Sequence, residues 1–258
     1  MNYIGIDIGS TCAKTVVLNE KKEIIQEFVQ PTGWSSVDTA EEIHQKLELA
    51  GINLSDDSSC CVATGYGRIS VPYADKTVTE ITCHALGAVH LFQQPDLTVI
   101  DIGGQDTKII QIEQGFVKDF IMNDKCAAGT GRFLEVMANT LSLRPNEMFD
   151  LARLGSDTTI SSMCTVFAES EVIGLIGKGE TKENIAYAVV NSTIRKVAAQ
   201  VSRMSGEMST FCLTGGLCEC EYIREALSKE LGKEVISCPD ARYAGAIGAA
   251  LSAMKIRK

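Results

Sequence analysis

Two short stretches of the chain share one arrangement of residues that is suited to holding phosphate. Residues 5–14 read GIDIGSTCAK and residues 99–108 read VIDIGGQDTK, so that each apolar run ends in Asp before a Gly-containing turn and a closing Lys. A second apolar run follows each turn, which predicts two strand–turn–strand hairpins. Tight turns of this kind can present backbone N–H groups to phosphate, and Asp7 and Asp101 could hold Mg²⁺ through water. We therefore predict a duplicated clamp that grips a polyphosphate from both sides.

The repetition of the hairpin is a more specific signal of phosphate binding than either hairpin alone. Asp-Gly turns are common in ordinary loops, whereas two copies at half-chain spacing indicate two similar lobes. A third segment, residues 211–217 (FCLTGGL), is an apolar strand that ends in Gly-Gly before a helix. Together the three resemble the actin, Hsp70 and sugar-kinase superfamily, in which a late Gly-Gly turn lies against adenosine. The resemblance implies ATP binding and an α/β fold with two lobes, hexokinase-like and ribonuclease H-like, with an internal duplication.

Within these three segments the polar residues receive predicted roles. The two hairpin aspartates are the predicted catalytic carboxylates on the Mg²⁺ side, directly or through water. Gln105 is a candidate for positioning the attacking water, and its neighbour Asp106 is equally placed. Lys14 and Lys108 are less specific, because solvated strand ends would explain them equally well. The predicted nucleotide-binding residues are Gly9, Ser10, Thr11, Cys12, Lys14, Gly103, Gly104, Gln105, Asp106, Gly215 and Gly216.

Length, composition and charge favour a globular protein and argue against a nucleic-acid or membrane partner. The chain has 258 residues, 45% of them hydrophobic and 22% charged, which suits a globular fold of one large domain or two lobes. A net charge of −9 argues against a nucleic-acid partner, because phosphate neutralisation needs a basic face. No apolar stretch approaches the roughly 20 residues of a membrane span, and the N-terminus lacks a signal-peptide pattern. We therefore expect a cytoplasmic protein without a membrane partner.

The hydrophobic periodicity predicts strands and helices mixed throughout, without a low-complexity linker. We expect a first lobe over residues 1–95 with the first phosphate hairpin, and a second over residues 96–258 with the second hairpin and the Gly-Gly turn. The C-terminal helix is free to pack back on the first lobe. Predicted strands are Tyr3–Ile8, Thr15–Asn19, Glu23–Val29, Cys60–Thr64, Ile109–Glu113 and Phe116–Met122, with another beginning at Thr98. Predicted helices are Val37–Ala50, Glu80–Phe92, Gly131–Leu141, Pro145–Leu154, Thr165–Gly177, Thr181–Met204, Cys220–Leu231 and Ala241–Ala253.

Ten cysteines are many for a cytosolic chain, where disulfide frameworks are rare. Two of them differ from the rest: Cys126 lies in a small-residue loop before a predicted helix, and Cys164 lies at the start of another. A helix N-terminus stabilises a thiolate, the ligand that iron–sulfur clusters use. A [4Fe–4S] cluster takes four thiolates, so a symmetric dimer would complete the set; buried structural thiols are the alternative. The expected core thiols are Cys12, Cys60, Cys61, Cys83 and Cys212.

The segments around these two cysteines resemble a particular family. Residues 123–135 (NDKCAAGTGRFLE) and 164–173 (CTVFAESEVI) are similar to the activators of 2-hydroxyacyl-CoA dehydratases and to benzoyl-CoA reductase ATPase subunits. A sugar kinase would share the phosphate hairpins without these segments. Further agreement lies in ATGYGR at 63–68, CHA at 83–85, IDIGGQD at 100–106 and GAIGAAL at 245–251, so that the resemblance covers nearly the whole chain.

The family resemblance implies a homodimer with one bridging [4Fe–4S] cluster, held by Cys126 and Cys164 of each subunit, and an ATP/ADP site with Mg²⁺ in each. Reduced ferredoxin or flavodoxin would supply the electron, and ATP binding and hydrolysis would change the angle between the cluster-bearing helices. The electron would then pass to an iron–sulfur dehydratase or acyl-CoA reductase. The alternatives are a small-molecule kinase and a nucleotide-dependent regulator of the same superfamily.

The sequence does not assign a role to four further residues. Arg68 and His84 lie in segments that match the family, yet ion pairing with a carboxylate would explain Arg68, and a core or interface position would explain His84. Cys218 and Cys220 form a Cys-x-Cys pair that could bind metal or form a strained disulfide, although no further ligands lie nearby in sequence.

Overall fold

The computed structural model describes residues 1–54, 56–161, 164–206 and 210–256. The chain forms two compact units. The first comprises Met1–Leu97, Ile110–Lys118 and Cys238–Lys258, and the second comprises Thr98–Ile109 and Asp119–Ser237. Strands and helices are mixed throughout both units, which confirms the predicted α/β class.

The strands of the first sheet are β1 (Asn2–Ile8), β2 (Cys12–Leu18), β3 (Ile24–Pro31), β4 (Ser59–Thr64) and β5 (Lys76–Thr77). Their order in the sheet is β3-β2-β1-β4-β5. β1 runs antiparallel to β2 and parallel to β4, β2 runs antiparallel to β3, and β4 runs parallel to β5. In this register Asp7 lies opposite Lys14 on one side and Thr64 on the other.

The second sheet repeats this order. Its strands are β6 (Leu97–Ile102), β7 (Thr107–Glu113), β8 (Phe116–Asn123), β9 (Thr210–Gly215) and β10 (Val235–Ile236). Their order is β10-β9-β6-β7-β8, so that read from the β8 edge each strand matches its counterpart in the first sheet. β7 and β8 are joined by a turn at Gln114 and Gly115, both with positive φ. The internal duplication is therefore visible in the topology.

Within the described ranges, eight α-helices accompany the two sheets. The hydroxyl of Thr181 accepts the Asn184 N–H at 3.2 Å and caps the helix that is predicted to begin at this residue. The helices are α1 (Ser36–Leu49), α2 (Glu80–Phe92), α3 (Gly131–Thr140), α4 (Pro145–Ala152), α5 (Thr165–Gly177), α6 (Lys182–Val201), α7 (Glu221–Leu231) and α8 (Ala244–Ile256), with 3₁₀ turns at Arg68–Ser70 and Pro239–Tyr243. None of the helices within the described ranges is long and apolar enough to cross a membrane.

The small residues of α8 let it lie directly on β1 and α2. A Cβ at Gly5 of β1 would lie 1.9 Å from the Ala246 carbonyl oxygen, and one at Gly248 of α8 would lie 1.8 Å from the Cys83 carbonyl oxygen. Backbone-to-backbone contact of this kind leaves no space for a side chain. The close contact of α8 with β1 and α2 fixes the positions of Asp7 in β1 and His84 in α2.

Candidate functional site

Loop 1 joins β1 to β2 and runs from Gly9 to Cys12. The Gly9 N–H donates to the Cys12 carbonyl at 3.1 Å and closes the turn, with Ser10 and Thr11 exposed at its tip. Thr32, just after β3, holds the loop from outside: its hydroxyl donates to the Gly9 carbonyl at 2.7 Å and its N–H to the Thr11 carbonyl at 3.0 Å. The loop thus presents two hydroxyl side chains on a backbone that is already hydrogen-bonded.

Loop 2 joins β6 to β7 and runs from Gly103 to Asp106. The Gly103 N–H donates to the Asp106 carbonyl at 2.9 Å, which is the same closing bond as in loop 1. Gln105 is exposed at the tip, and Gly104 before it is half-buried. Both turns are therefore closed by the same type of hydrogen bond. The strands after them begin earlier than predicted, at Cys12 and Thr107.

Asp7 lies at the end of β1 and is only 5% exposed. His84 of α2 places its Nε2 3.9 Å from Asp7 Oδ2, and both side chains are buried. Gly245 of α8 lies against both side chains, because a Cβ there would lie 2.5 Å from Asp7 Oδ2 and 2.9 Å from His84 Nε2. His84 is thus a core histidine, as one of the alternatives held, and its neighbour is the predicted Mg²⁺-side carboxylate.

Asp101 occupies the equivalent place at the end of β6 and is 2% exposed. Thr214 of β9 donates its hydroxyl to Asp101 Oδ2 at 2.6 Å. Lys108 Nζ lies 3.8 Å from Asp101 Oδ1 and 2.5 Å from Asp106 Oδ2, with a side chain that is almost fully buried. The explanation of Lys108 as a solvated strand end is therefore wrong, since it is a buried cation between two carboxylates. Lys14, its counterpart, is half-buried.

A glycine turn lies beside each of these aspartates. Gly65 follows β4 with φ of 87°, and a Cβ there would lie 2.5 Å from Asp7 Oδ1. Gly215 ends β9 with φ of 85°, and a Cβ there would lie 3.1 Å from Asp101 Oδ2. Both positions require the left-handed region that glycine tolerates. The exposed Gly216 next to it donates its N–H to the Ile102 carbonyl at 3.2 Å, which brings the Gly-Gly turn beside loop 2.

The two singled-out cysteines lie in the second unit. Cys164 is the N-cap residue of α5 and is exposed, which confirms its predicted place at a helix start; the two residues before it lie outside the described residues. Cys126 lies between β8 and α3 and is partly exposed. Asn123 donates its Nδ2 to the Cys126 carbonyl at 2.8 Å and to the Ala128 carbonyl at 3.2 Å. Neither thiol is a buried structural one.

None of the ten cysteines, all of which lie within the described residues, forms a disulfide, so the strained disulfide that was one alternative for Cys218 and Cys220 is not present. Cys220 is the N-cap residue of α7, where burial raises its pKa. Across the described ranges, no group of three or more His, Cys, Asp and Glu side chains could hold a metal ion. The predicted core thiols that are buried are Cys60, Cys61, Cys83 and Cys212, whereas Cys12 is half-buried.

The sequence model of the BadF/BadG/BcrA/BcrD ATPase family matches residues 4–253, which is nearly the full length. The chain belongs to the BadF/BadG/BcrA/BcrD ATPase family. The resemblance seen in its motifs is thereby confirmed.

Two relatives of this BadF/BadG/BcrA/BcrD ATPase are named as activators of dehydratases. It is 44% identical over 257 residues to the (R)-2-hydroxyglutaryl-CoA dehydratase activating ATPase of Acidaminococcus fermentans, covering 98% of this chain and 96% of the relative. It is 41% identical over 255 residues to the activator of lactoyl-CoA dehydratase of Anaerotignum propionicum, covering 98% and 97%.

Solved structures agree with the fold of this family member. The (R)-2-hydroxyglutaryl-CoA dehydratase component A of Acidaminococcus fermentans superposes with a TM-score of 0.91 at 42% identity, over 99% of this chain and 98% of that one. The 2-hydroxyisocaproyl-CoA dehydratase activator of Clostridium difficile, solved with ADPNP, gives 0.89 at 35% identity, over 99% and 95%. A ROK family glucokinase of Streptomyces griseus gives 0.63 at 16% identity, over 99% and 100%, which confirms the predicted sugar-kinase-like fold.

The residues that orient the two aspartates were not predicted. Thr214 and His84 act across the fold, on Asp101 and Asp7 respectively, and no local spacing relates them to those partners. One signal was available for the first: a Thr-Gly pair recurs at residues 64–65 and 214–215, at the ends of matching strands. Arg68 donates its guanidinium to the Gly65 carbonyl at 3.0 Å, a contact within its own turn.

Proposed function

We propose that this protein is an ATP-driven activator that passes a low-potential electron to a 2-hydroxyacyl-CoA dehydratase or a related iron–sulfur enzyme. Family membership supports the ATPase, and named relatives that span nearly the whole chain are dehydratase activators. The observation that carries the proposal is a pair of accessible thiols, Cys126 and Cys164, in a chain that also has both phosphate loops.

The nucleotide is assigned to the two loops and the Gly-Gly turn, with Ser10 and Thr11 on loop 1 and the backbone of loop 2 against the phosphates. Asp7 and Asp101 are the proposed Mg²⁺-side carboxylates, because hard carboxylate oxygens suit Mg²⁺, which keeps several of its waters. Their burial supports this role, since His84 and Thr214 limit the orientations available to each carboxylate. Phosphoryl transfer depends mainly on such positioning and on charge stabilisation. The exposed Gln105 and the ion-paired Asp106 remain the candidates for orienting the attacking water.

The thiols fit half of a [4Fe–4S] site. Such a cluster takes four thiolates, and Cys126 and Cys164 are two accessible ones, so a second copy of the chain would supply the others. Held in this way, the cluster would supply a one-electron carrier. Cys164 begins α5, where unpaired N–H groups of the first helical turn favour a negatively charged ligand.

Helix α5 also supports the proposed homodimer. Four of its large apolar side chains are between 47% and 68% exposed, which is unusual for a monomer surface. They are Val166, Phe167, Ile173 and Ile176. A two-fold contact through this face would cover them and bring two copies of Cys164 to one interface. Reduced ferredoxin or flavodoxin is the proposed donor, and an iron–sulfur dehydratase or acyl-CoA reductase is the proposed acceptor.

Metal analysis of protein purified without oxygen tests the proposal. We expect about four iron and four sulfide per dimer in the wild type, with loss of both in Cys126→Ala and Cys164→Ala. Cys238→Ala is the matched control, because this half-buried thiol has no predicted role and should leave the iron content unchanged. A protein that binds ATP but carries no iron would refute electron transfer and favour the kinase or the regulator.

A further inference from the structure

The helix that follows the Cys126 loop is hydrogen-bonded directly to loop 2. The N–H of Gly131, the first residue of α3, donates to the Gly103 carbonyl at 2.9 Å, and the N–H of Arg132 donates to the Gly104 carbonyl at 2.7 Å. N–H groups in the first turn of a helix have no intrahelical acceptors. The two loop 2 carbonyls therefore serve as the cap of α3.

Thr107, which directly follows loop 2, makes a second hydrogen bond to the segment that contains Cys126. It is the first residue of β7 and fully buried, and its hydroxyl donates to the Gly129 carbonyl at 2.6 Å. Gly129 has φ of 87°, and a Cβ there would lie 2.9 Å from Lys196 Cγ, so both the backbone conformation and the close side chain favour glycine at this position. Asn123 holds the start of the same loop through the Cys126 carbonyl. The segment with the thiol is thus bound at both of its ends.

The first half of the chain has a related contact without a thiol. There, the connection between β3 and α1 consists of residues 32–35 and bonds to loop 1 through the Thr32 hydroxyl, whose acceptor is the Gly9 carbonyl. Gly9 is the counterpart of Gly103, whose carbonyl accepts the N–H of Gly131. In the second half the connection before that residue, 124–130, is longer and contains Cys126. In both halves the first glycine carbonyl of the loop therefore accepts a hydrogen bond from the segment that follows β3 or β8, and in the second half this segment contains a proposed cluster ligand.

We infer that Thr107 is a positioning residue that transmits the nucleotide state of loop 2 to the loop that holds Cys126. The inference rests on the proposed function, in which loop 2 contacts the phosphates. When the terminal phosphate is lost, any shift of the Gly103 and Gly104 peptides moves the start of α3. The Thr107 hydroxyl carries the same shift to the Gly129 peptide, so that the two ends of loop 2 move the Cys126 segment together.

Hydrogen–deuterium exchange of the full chain, purified without oxygen, tests this inference. Residues 124–132 are compared under saturating ADP and a saturating non-hydrolysable ATP analogue. In wild type we expect exchange rates that differ by about fivefold, the change in opening equilibrium that corresponds to one neutral hydrogen bond. Thr107→Val keeps the shape but removes the donor, and should abolish the difference over residues 124–129, whereas Gly131 and Arg132, which bond to loop 2 through their own N–H groups, should still respond. Thr107→Ser keeps the hydroxyl and should retain the difference.

The matched control is Thr98→Val, a fully buried threonine of β6 in the same sheet, whose hydroxyl has no hydrogen-bond partner among the residues the structure describes. It should respond as wild type does. A wild-type-like response in Thr107→Val would overturn the inference, as would equal loss in Thr107→Ser. If residues 99–106 respond to nucleotide while residues 124–132 do not, the inference fails and the proposed function stands. If wild type binds no nucleotide at all, the proposed function fails first.

Discussion

The Thr214 hydroxyl donates to Asp101 Oδ2 at 2.6 Å, in a place where both side chains are buried. Thr214 directly precedes the Gly-Gly turn, and Asp101 ends the strand before loop 2. One hydrogen bond therefore joins the proposed adenosine segment to a proposed Mg²⁺ carboxylate. The remaining oxygen of that carboxylate faces Lys108 at 3.8 Å.

Replacing Thr214 by Val should lower the free energy of unfolding by about 2 kcal/mol, because a hydrogen bond to a buried charged group is lost and the shape is kept. Urea denaturation measures the change. Thr98→Val is the control, since its buried hydroxyl makes no such bond within the described chain, and it should cost much less. Equal losses in the two variants would contradict the role given to this hydrogen bond.

Gly245→Ala should destabilise the protein by about 1–3 kcal/mol, because the new Cβ would press on both Asp7 Oδ2 and His84 Nε2. Alanine is ordinarily the better helix residue. Gly174→Ala in α5 is therefore the control: a Cβ there meets nothing within 4 Å, and we expect a gain of about 0.5–1 kcal/mol. Thermal unfolding of both variants checks the opposite signs, and a stabilised Gly245→Ala would show that the approach to Asp7 is not tight.

Asp7→Asn and Asp101→Asn should each reduce Mg²⁺-dependent ATP hydrolysis by about 10²-fold or more, since the amide keeps the size but cannot hold the cation as a carboxylate does. Phosphate release at varied Mg²⁺ is the measurement. The exposed Asp119 of β8 provides the same substitution away from the loops, and Asp119→Asn should hydrolyse ATP at the wild-type rate. Wild-type hydrolysis in either loop variant would remove that aspartate from the proposed site.

Thiol alkylation at pH 8 should distinguish accessible from buried cysteines. Burial raises the pKa of Cys83 to about 12, so only about 10⁻⁴ of this thiol is ionised at pH 8, and it should stay unlabelled in the folded protein. A raised pKa means that the thiol form persists until the pH approaches 12. Cys164 is exposed and should be labelled once a chelator has removed iron. Peptide mass spectrometry detects labelling at both sites, and labelling of native Cys83 would show that α2 opens readily.

Ile173→Glu should convert the proposed dimer to monomers and lower the iron content, because a carboxylate cannot be buried without a partner at an apolar contact. Light scattering after gel filtration gives the mass. Leu154, at the end of α4, is 75% exposed and lies in the same unit, so Leu154→Glu should leave the dimer intact. If Ile173→Glu remains a dimer, a different surface makes the contact.

Local chemistry explains what could be predicted. The two hairpins were evident because apolar runs and glycine turns are adjacent in sequence, and the start of α6 was evident because Thr181 caps a nearby N–H. Strand limits were less accurate: β2 begins at Cys12 and β7 at Thr107, a few residues earlier than the hydrophobic pattern indicates, because cross-strand pairing extends into polar residues.

Local patterns were sufficient to predict the duplicated loops, the α/β class and the place of Cys164 at a helix start, since each depends on residues within a few positions of one another. The accessibility of Cys126 and Cys164 and the contact partners became visible in the folded chain: His84 beside Asp7, Thr214 on Asp101, and Thr107 on Gly129. The tertiary structure also placed Lys108 in the interior, between two carboxylates. The contacts of His84, Thr214 and Thr107 join segments distant in sequence, and they arise from strand pairing and helix packing, which no local spacing encodes. Lys108 is close in sequence to both of its carboxylates, and what the tertiary structure adds there is burial.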